Sequence, residues 1–382
     1  MEVLKAVAQR AATHGDVVNL CVGQPATPAP APVRAAAHAA LDADRLGYTE
    51  ALGIRSLREA IARHYRQWYA VDVGPEQVVV TTGSSSAFTA LFLAAFDVGD
   101  LVAVTRPGYP AYRNTLVALG CSVLELDCGP ETRYQPTVAM LAALPTPPRG
   151  LVVASPANPT GTVIDAVELA AIARWCAAHD CLLISDEIYH GIVYAGAAAS
   201  AWEFSRDAAV VGSFSKYFSM TGWRLGWLLA PAGLERPVEL LLGNLNLCAP
   251  TLAQLGAVAA FSPESHAELS GHVERYARNR EILLNRLPEL GIRDFAPPDG
   301  AFYAYCDVSH LTEDSAQWCR EVLATTGVAL TPGIDFATSR RGSDQRLDGR
   351  LFIRISFAGT PEEMHEGIDR LRAFLANRCQ IH

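Results

Sequence analysis

Gly212–Gly226 reads GSFSKYFSMTGWRLG, and Lys216 stands inside it. Lysine and arginine together number 31, yet only Lys5 and Lys216 are lysines. Positive charge on the surface is therefore carried almost wholly by arginine, which disfavours an ordinary solvated role for Lys216. Arginine cannot readily deprotonate, whereas lysine can become a neutral amine and form a Schiff base. Around Lys216 lie Ser213, Ser215, Ser219 and Thr221, with Arg224 further along. Hydroxyls and a guanidinium suit a phosphate group. A Schiff-base lysine beside a phosphate site points to pyridoxal 5′-phosphate.

Outward from this stretch, short apolar runs alternate with helical patterns. The runs are Val78–Thr82, Leu101–Thr105, Ser122–Leu126, Gly150–Ser155, Cys181–Ser185, Ala208–Ser213 and Leu225–Ala230. Helical stretches include Ser85–Phe96, Tyr112–Leu119, Asp165–His179 and Val238–Asn246. This alternation predicts an α/β fold whose mostly parallel, seven-stranded sheet is covered by helices on both faces. In such sheets ligands bind beyond the carboxyl ends of the strands. Gly83-Ser84-Ser85, Tyr109, Asn158, Asp186 and Ser213 fall at five such ends.

The flanks read differently. Residues 1–20 predict a helix, with a short apolar segment at Val17–Val22. Helices follow over Pro32–Asp42 and Ser56–Tyr69, the second started by a Ser56-to-Glu59 capping box. After Pro263 come a long helix from Glu264 to Leu287, expected to carry a break, and strands near Gly300–Asp307 and Leu351–Ser356. A helix near Ser315–Thr326 and a last one from Pro361 to Asn377 complete a smaller α+β unit. The expected division is a large domain over 45–275 and a discontinuous small domain of 1–44 with 276–382. Ser339–Gly349 is polar and charged and predicts a mobile loop.

Of the 382 residues, 50% are hydrophobic and 19% charged, a globular composition with room for a large core. The net charge of −9 and the lack of a basic block argue against nucleic acid or an acidic membrane surface as partner. The start, MEVLKAVAQRAATHGD, lacks the basic-then-apolar layout of a secretory signal. No run is long enough to span a bilayer. Nine scattered cysteines without a CxxC pair predict reduced thiols in a cytoplasmic protein. No metal-ligand spacing, dinucleotide fingerprint or P-loop is present.

Each candidate site residue has a plain and a chemical reading. Gly83-Ser84-Ser85 opens a helix, either as a phosphate cradle or as a capped turn. Asn158 is flanked by Pro156 and Pro159, which hold it extended; its amide could donate to a ring oxygen or close a tight turn. Asp186 ends an apolar strand, where a carboxylate is costly without a cation. A protonated pyridine nitrogen would serve, and a helix cap is the alternative. Tyr189, three residues on, could reach a ring hydroxyl. Tyr109 could stack on a cofactor ring or belong to the core. Arg354 lies between large apolar residues and needs an anion, either a substrate carboxylate or an internal acid.

These motifs, in order, resemble those of a class I/II aminotransferase of the aspartate aminotransferase superfamily, with pyridoxal-phosphate fold type I. The motifs are Tyr48 with Gly53 and Leu57-Arg58; Gly83-Ser84-Ser85; Pro107–Tyr112; Asn158-Pro159-Thr160-Gly161; Asp186-Glu187-Ile188-Tyr189; Ser213-Phe214-Ser215-Lys216; Gly222–Gly226; and Arg354. The resemblance runs from about Val18 to the C-terminus. It implies that Lys216 bears pyridoxal 5′-phosphate covalently and then moves the substrate proton, while Asp186 keeps the ring nitrogen protonated. It implies that Tyr189 and Asn158 contact the phenolic oxygen and that Tyr109 stacks on the ring. Gly83, Ser84, Ser85, Ser213 and Arg224 would hold the phosphate, with Tyr48 reaching in from a second subunit of a homodimer. Arg354 would take the substrate α-carboxylate, with Asn158 beside it and a backbone contact near Gly23.

The implied reaction moves an amino group between an L-amino acid and a 2-oxo acid in two halves, with ping-pong kinetics. Near-absence of lysine and the apolar tone of Phe302, Tyr303 and Thr331–Phe336 favour a neutral donor such as alanine or valine, with pyruvate or 2-oxoglutarate as acceptor. Aspartate is the alternative, because an arginine such as Arg113 could enter the site. A pyridoxal-phosphate-dependent C–S β-lyase would share every residue named.

Overall fold

The computed structural model describes residues 2–43, 46–337 and 347–379. Its strands, in chain order, are β1 (Val18–Asn19), β2 (Val78–Thr81), β3 (Leu101–Arg106), β4 (Ser122–Asp127), β5 (Gly150–Ala154) and β6 (Leu182–Asp186). They continue as β7 (Ala209–Ser213), β8 (Gly226–Leu229), β9 (Tyr303–Asp307), β10 (Val328–Ala329), β11 (Thr331–Pro332) and β12 (Phe352–Ser356). Seven of them form the main sheet, in the order β2-β8-β7-β6-β5-β3-β4. All its pairings are parallel except those of β8, which runs antiparallel to β2 and β7.

The apolar runs make this sheet because alternate residues enter two buried layers. Val79, Val104, Val152, Ile184 and Leu228 pack into one layer; Val80, Ala103, Leu151, Leu183 and Val210 pack into the other. The helices Gly83–Ala95 and Ala166–Ala178 join opposite layers, the first through Leu91 and Phe92, the second through Leu169 and Ile172. Two small sheets complete the fold: β11-β12-β9, antiparallel, and β1-β10, parallel. Chain from before the main sheet therefore pairs with chain from after it.

Some local expectations need correction. The first helix covers Glu2–His14, less than the 1–20 stretch. The helix expected at Ser56 begins at Arg55, with Ile54 at its cap position and no side-chain cap bond. Ser56 lies inside the first turn, and Glu59 pairs with Arg55 at 2.8 Å instead of reaching back to a cap. The long helix runs unbroken over Pro263–Arg286, started by Ser262, whose side chain accepts from the Ser265 amide. Its buried Leu269, Tyr276 and Leu283 recur every seven residues, one continuous stripe against the core. The mobile loop expected at Ser339–Gly349 lies outside the described residues over 339–346, while Gly349 starts a short 3-10 turn, Gly349–Leu351. The 44/45 domain boundary also lies outside them. The eight described cysteines are free thiols, and no described helix is long and apolar enough to cross a membrane.

Candidate active site

A cavity of about 610 Å³ opens beyond the carboxyl ends of the parallel strands. Gly23, Ser84, Ser85, Tyr109, Asn158, Asp186, Tyr189, Lys216, Arg224 and Arg354 all line it. Three predicted residues do not. Gly83 lies under Arg224, Ser213 is enclosed behind the wall, and Tyr48 is 83% exposed elsewhere on the surface.

Lys216 follows β7 on a tight loop in which the Ser213 side chain accepts the Ser215 amide at 3.0 Å. The Ser213 side chain thus steadies the loop from behind the cavity wall, and it is Ser215 that lines the cavity. The Lys216 Nζ donates to the Gly23 carbonyl at 2.6 Å and lies 5.7 Å from the centre of the Tyr189 ring. Burial lowers its pKa to about 8, helped by the charge of Arg354 and opposed by that of Asp186. A neutral amine, the form that acts as nucleophile and base, is within reach at mildly alkaline pH.

Asp186 ends β6 and is fully enclosed. Burial raises its pKa to about 6, against hydrogen bonds from Tyr112 and the Ile188 amide and the charge of Lys216. The Ile188 amide donates to Oδ1 at 3.1 Å, but the chain after Asp186 runs on as a turn and not a helix, so the helix-cap reading of Asp186 does not hold. The Tyr112 hydroxyl donates to the other carboxylate oxygen. Such a carboxylate gains from a cationic N–H donor placed before it. Tyr109 sits at the cavity edge, 39% exposed, its ring edge-on to Tyr112 at 5.4 Å.

The amino-terminal turn of helix Gly83–Ala95 brings Ser84 and Ser85 to one end of the cavity, with Ser215, Thr221 and Arg224 around it. Gly83 has φ of 71°, and a Cβ there would collide with the Arg224 guanidinium. A Cβ on Gly226 would lie 2.7 Å from the Ser84 amide nitrogen. Both glycines let β8 and the helix start close onto each other. Arg224 donates to the Thr221 carbonyl at 3.2 Å, and no carboxylate among the described residues pairs with it. Hydroxyls, a helix N-terminus and a cation without a counter-ion fit a phosphate.

Arg354 on β12 faces the other end. Its Nη1 donates to Asn158 Oδ1 at 2.7 Å and its Nη2 to the Cys21 carbonyl at 2.6 Å. The guanidinium is sandwiched 4.3 Å from the Tyr303 ring centre and 4.8 Å from that of Phe336. Its Nε, buried, has no hydrogen-bond partner. No Asp or Glu among the described residues pairs with it, so an anion from outside remains the natural counter-charge.

Sequence reasoning missed Tyr112, Tyr303, Thr331 and Asp335. Tyr303 contributes more than apolar tone, since its hydroxyl meets that of Tyr189 at 2.7 Å. Phe302 is in the core rather than the cavity, stacked edge-on against Tyr276. Arg113 pairs with Glu125 at 3.1 Å and does not line the cavity. Glu187 and His190 do not line the cavity. Glu187 accepts from Ser200 Oγ at 3.1 Å and the Ala201 amide at 2.8 Å, and burial pushes its pKa to about 8. His190 Nδ1 meets the Tyr69 hydroxyl at 2.7 Å, and burial lowers its pKa to about 4.

The model of the family "Aminotransferase class I and II" matches residues 15–371. A valine–pyruvate aminotransferase of Mycobacterium tuberculosis is 56% identical over 380 residues, 99% of this chain and 96% of the relative. The crystal structure of an aminotransferase from Mycobacterium tuberculosis superposes with a TM-score of 0.95 at 56% identity, covering 99% and 96% of the two chains. A Thermus thermophilus aspartate aminotransferase double mutant superposes with a TM-score of 0.90 at 31% identity, covering 97% and 95%.

Proposed function

The chain belongs to the class I and II aminotransferases, pyridoxal-phosphate-dependent enzymes that move an amino group between an amino acid and a 2-oxo acid, and from that premise we propose that its donor is a neutral aliphatic L-amino acid, valine or alanine, and its acceptor pyruvate. The observation that carries the substrate reading is the set of basic side chains lining the cavity: Lys216, Arg224 and Arg354. Lys216 is the covalent anchor, Arg224 serves the phosphate and Arg354 the α-carboxylate. Among the described residues none is left for the second carboxylate of aspartate, and Arg113 is engaged elsewhere. The name of the 56% identical relative points the same way.

When bound, pyridoxal phosphate supplies the carbon that joins the amino group and a ring that takes up the electron pair left at Cα. The protein does the rest. Ser84, Ser85, Ser215, Thr221 and Arg224 hold the phosphate. Asp186, steadied by Tyr112, keeps a proton on the ring nitrogen. Asn158 and Tyr189 face the phenolic oxygen, and Tyr109 covers the ring. Arg354 orients the substrate by its carboxylate so that the Cα proton is presented to Lys216. The Lys216 amine would take that proton from Cα and deliver it to the carbon the cofactor supplies, so that the amine ends the half-reaction free of it.

Tyr48 belongs to a homodimer in this reading. It lies on a segment tied to the 245–251 region, where Thr251 Oγ1 donates to the Gly47 carbonyl at 2.7 Å. Leu245 and Leu247 in that region are 57% and 55% exposed. A second copy would cover this apolar surface and bring Tyr48 to the neighbouring phosphate site.

The test is a half-reaction panel. With the acceptor withheld, L-valine and L-alanine should convert bound pyridoxal phosphate to its amine form at least about tenfold faster than L-aspartate, a selectivity of order 1.4 kcal/mol. Stopped-flow absorbance reads this directly. Faster conversion by aspartate would overturn the substrate assignment, and steady release of ammonia without an acceptor would instead indicate a lyase.

A further inference from the structure

One side chain of the cavity touches both ends of the site and has no task in the transfer chemistry. Tyr303 opens β9, is 1% exposed and lines the cavity. It pairs with Ser356 across β9 and β12, which makes Arg354 its diagonal neighbour on the same face of the sheet. The Arg354 guanidinium accordingly lies over its ring, 4.3 Å from the centre. The Tyr303 hydroxyl meets the Tyr189 hydroxyl at 2.7 Å, with the two rings edge-on at 5.6 Å. A Cβ on Gly23 would collide with the Tyr303 hydroxyl oxygen, so this hydroxyl sits directly on the Gly23 backbone. The carbonyl of that same glycine takes Lys216 Nζ at 2.6 Å.

Proton counting gives the hydroxyl a role. Burial raises the pKa of both phenols, so each keeps its proton at neutral pH. A phenol has one proton to give and lone pairs with which to accept. If Tyr189 gave its proton to Tyr303, none would remain for the phenolic oxygen it faces. If Tyr303 gives its proton to Tyr189, the Tyr189 proton goes to that oxygen, and each bond strengthens the other. We infer that Tyr303 is a positioning residue: its hydroxyl donates to Tyr189 and thereby commits the Tyr189 proton to the phenolic oxygen of the cofactor, while its ring is the platform on which Arg354 meets the substrate carboxylate. The inference rests on the roles given to Tyr189 and Arg354 in the reading above. A hydrogen bond to a charged oxygen favours the charged form. A committed donor therefore holds down the pH at which the bound cofactor takes up a proton.

The experiment uses the holoenzyme with Tyr303→Phe, Tyr303→Leu, Tyr189→Phe and the double variant Tyr189→Phe/Tyr303→Phe. Visible absorbance of the bound cofactor is titrated against pH, and KM for L-valine is measured beside it. The charged and titratable groups facing the two hydroxyls, Arg354, Lys216, Asp186 and Tyr109, are the same in every variant. Tyr303→Phe should raise the absorbance midpoint by about one pH unit, the size of one buried hydrogen bond, and leave KM within about twofold. Tyr303→Leu should raise the midpoint as much and KM about tenfold, because the ring beneath the guanidinium is gone as well. Since Tyr303 acts through Tyr189, the double variant should titrate within about 0.3 unit of Tyr189→Phe. A midpoint unmoved in Tyr303→Phe, or additive shifts in the double variant, would overturn the role of the hydroxyl. Equal KM in Tyr303→Phe and Tyr303→Leu would overturn the platform. A midpoint unmoved in Tyr189→Phe would instead overturn the placement of Tyr189 on which the inference rests.

Discussion

Replacing Lys216 by alanine should lower kcat for transamination by about 10,000-fold, the upper end of what a positioned acid–base group contributes. The expectation follows from two losses at one atom. Without Nζ there is no covalent anchor and no base beside the substrate Cα. Depression of the Lys216 pKa to about 8 by burial makes the neutral amine available, and arginine cannot imitate that state. Lys216→Arg should therefore be as inactive as Lys216→Ala. The phosphate cradle of Ser84, Ser85 and Arg224 is untouched by either change, so the variants should still retain cofactor after gel filtration at high pyridoxal phosphate. Single-turnover absorbance with L-valine checks this, and activity within tenfold of wild type in Lys216→Ala would remove the lysine from the chemistry.

Arg354→Ala should lower kcat/KM for α-amino acids by about 100- to 1,000-fold, as expected when one partner of a buried charge pair is removed. The loss should fall mainly on KM, because Arg354 grips the carboxylate in both ground and transition states. Arg354→Lys should recover only a small part. The guanidinium lies between the Tyr303 and Phe336 rings and fixes Asn158 Oδ1 and the Cys21 carbonyl with separate nitrogens. A lysine ammonium cannot stack in that slot or make both contacts in one plane. Steady-state kinetics with valine, compared with isobutylamine as a carboxylate-free control, reads the effect. An unchanged KM for valine in Arg354→Ala would place the carboxylate elsewhere.

Much of the main sheet was legible because its strands are buried on both faces and so read as unbroken apolar runs. The reversal of β8 was not, since Leu225–Ala230 has the same pattern in either direction. The Ser56 cap failed because a serine one residue inside a helix carries the same local signature as one at its start. Lys216 was legible from the scarcity of lysine in the chain, and Asp186 and Arg354 from apolar flanks that leave a buried charge in need of a partner. Tyr112 was not, because its role depends on a helical turn that brings its hydroxyl to Asp186 from a different strand end. Ser213 and Ser215 could not be separated by composition; only the loop shows that Ser213 accepts the Ser215 amide while Ser215 lines the cavity. Asp335 lines the cavity from a segment whose other residues are mostly apolar, which is why its place there was not legible.

The central claim is that Lys216 is the covalent seat of pyridoxal phosphate. With only two lysines in the chain, the test is unusually clean. The protein is incubated with pyridoxal phosphate, reduced with borohydride, digested and mapped by mass spectrometry. One phosphopyridoxyl group per chain on the peptide containing Lys216, and none on the peptide containing Lys5, is the predicted result. Label on Lys5 alone, or no label on Lys216 at saturating cofactor, would contradict the account.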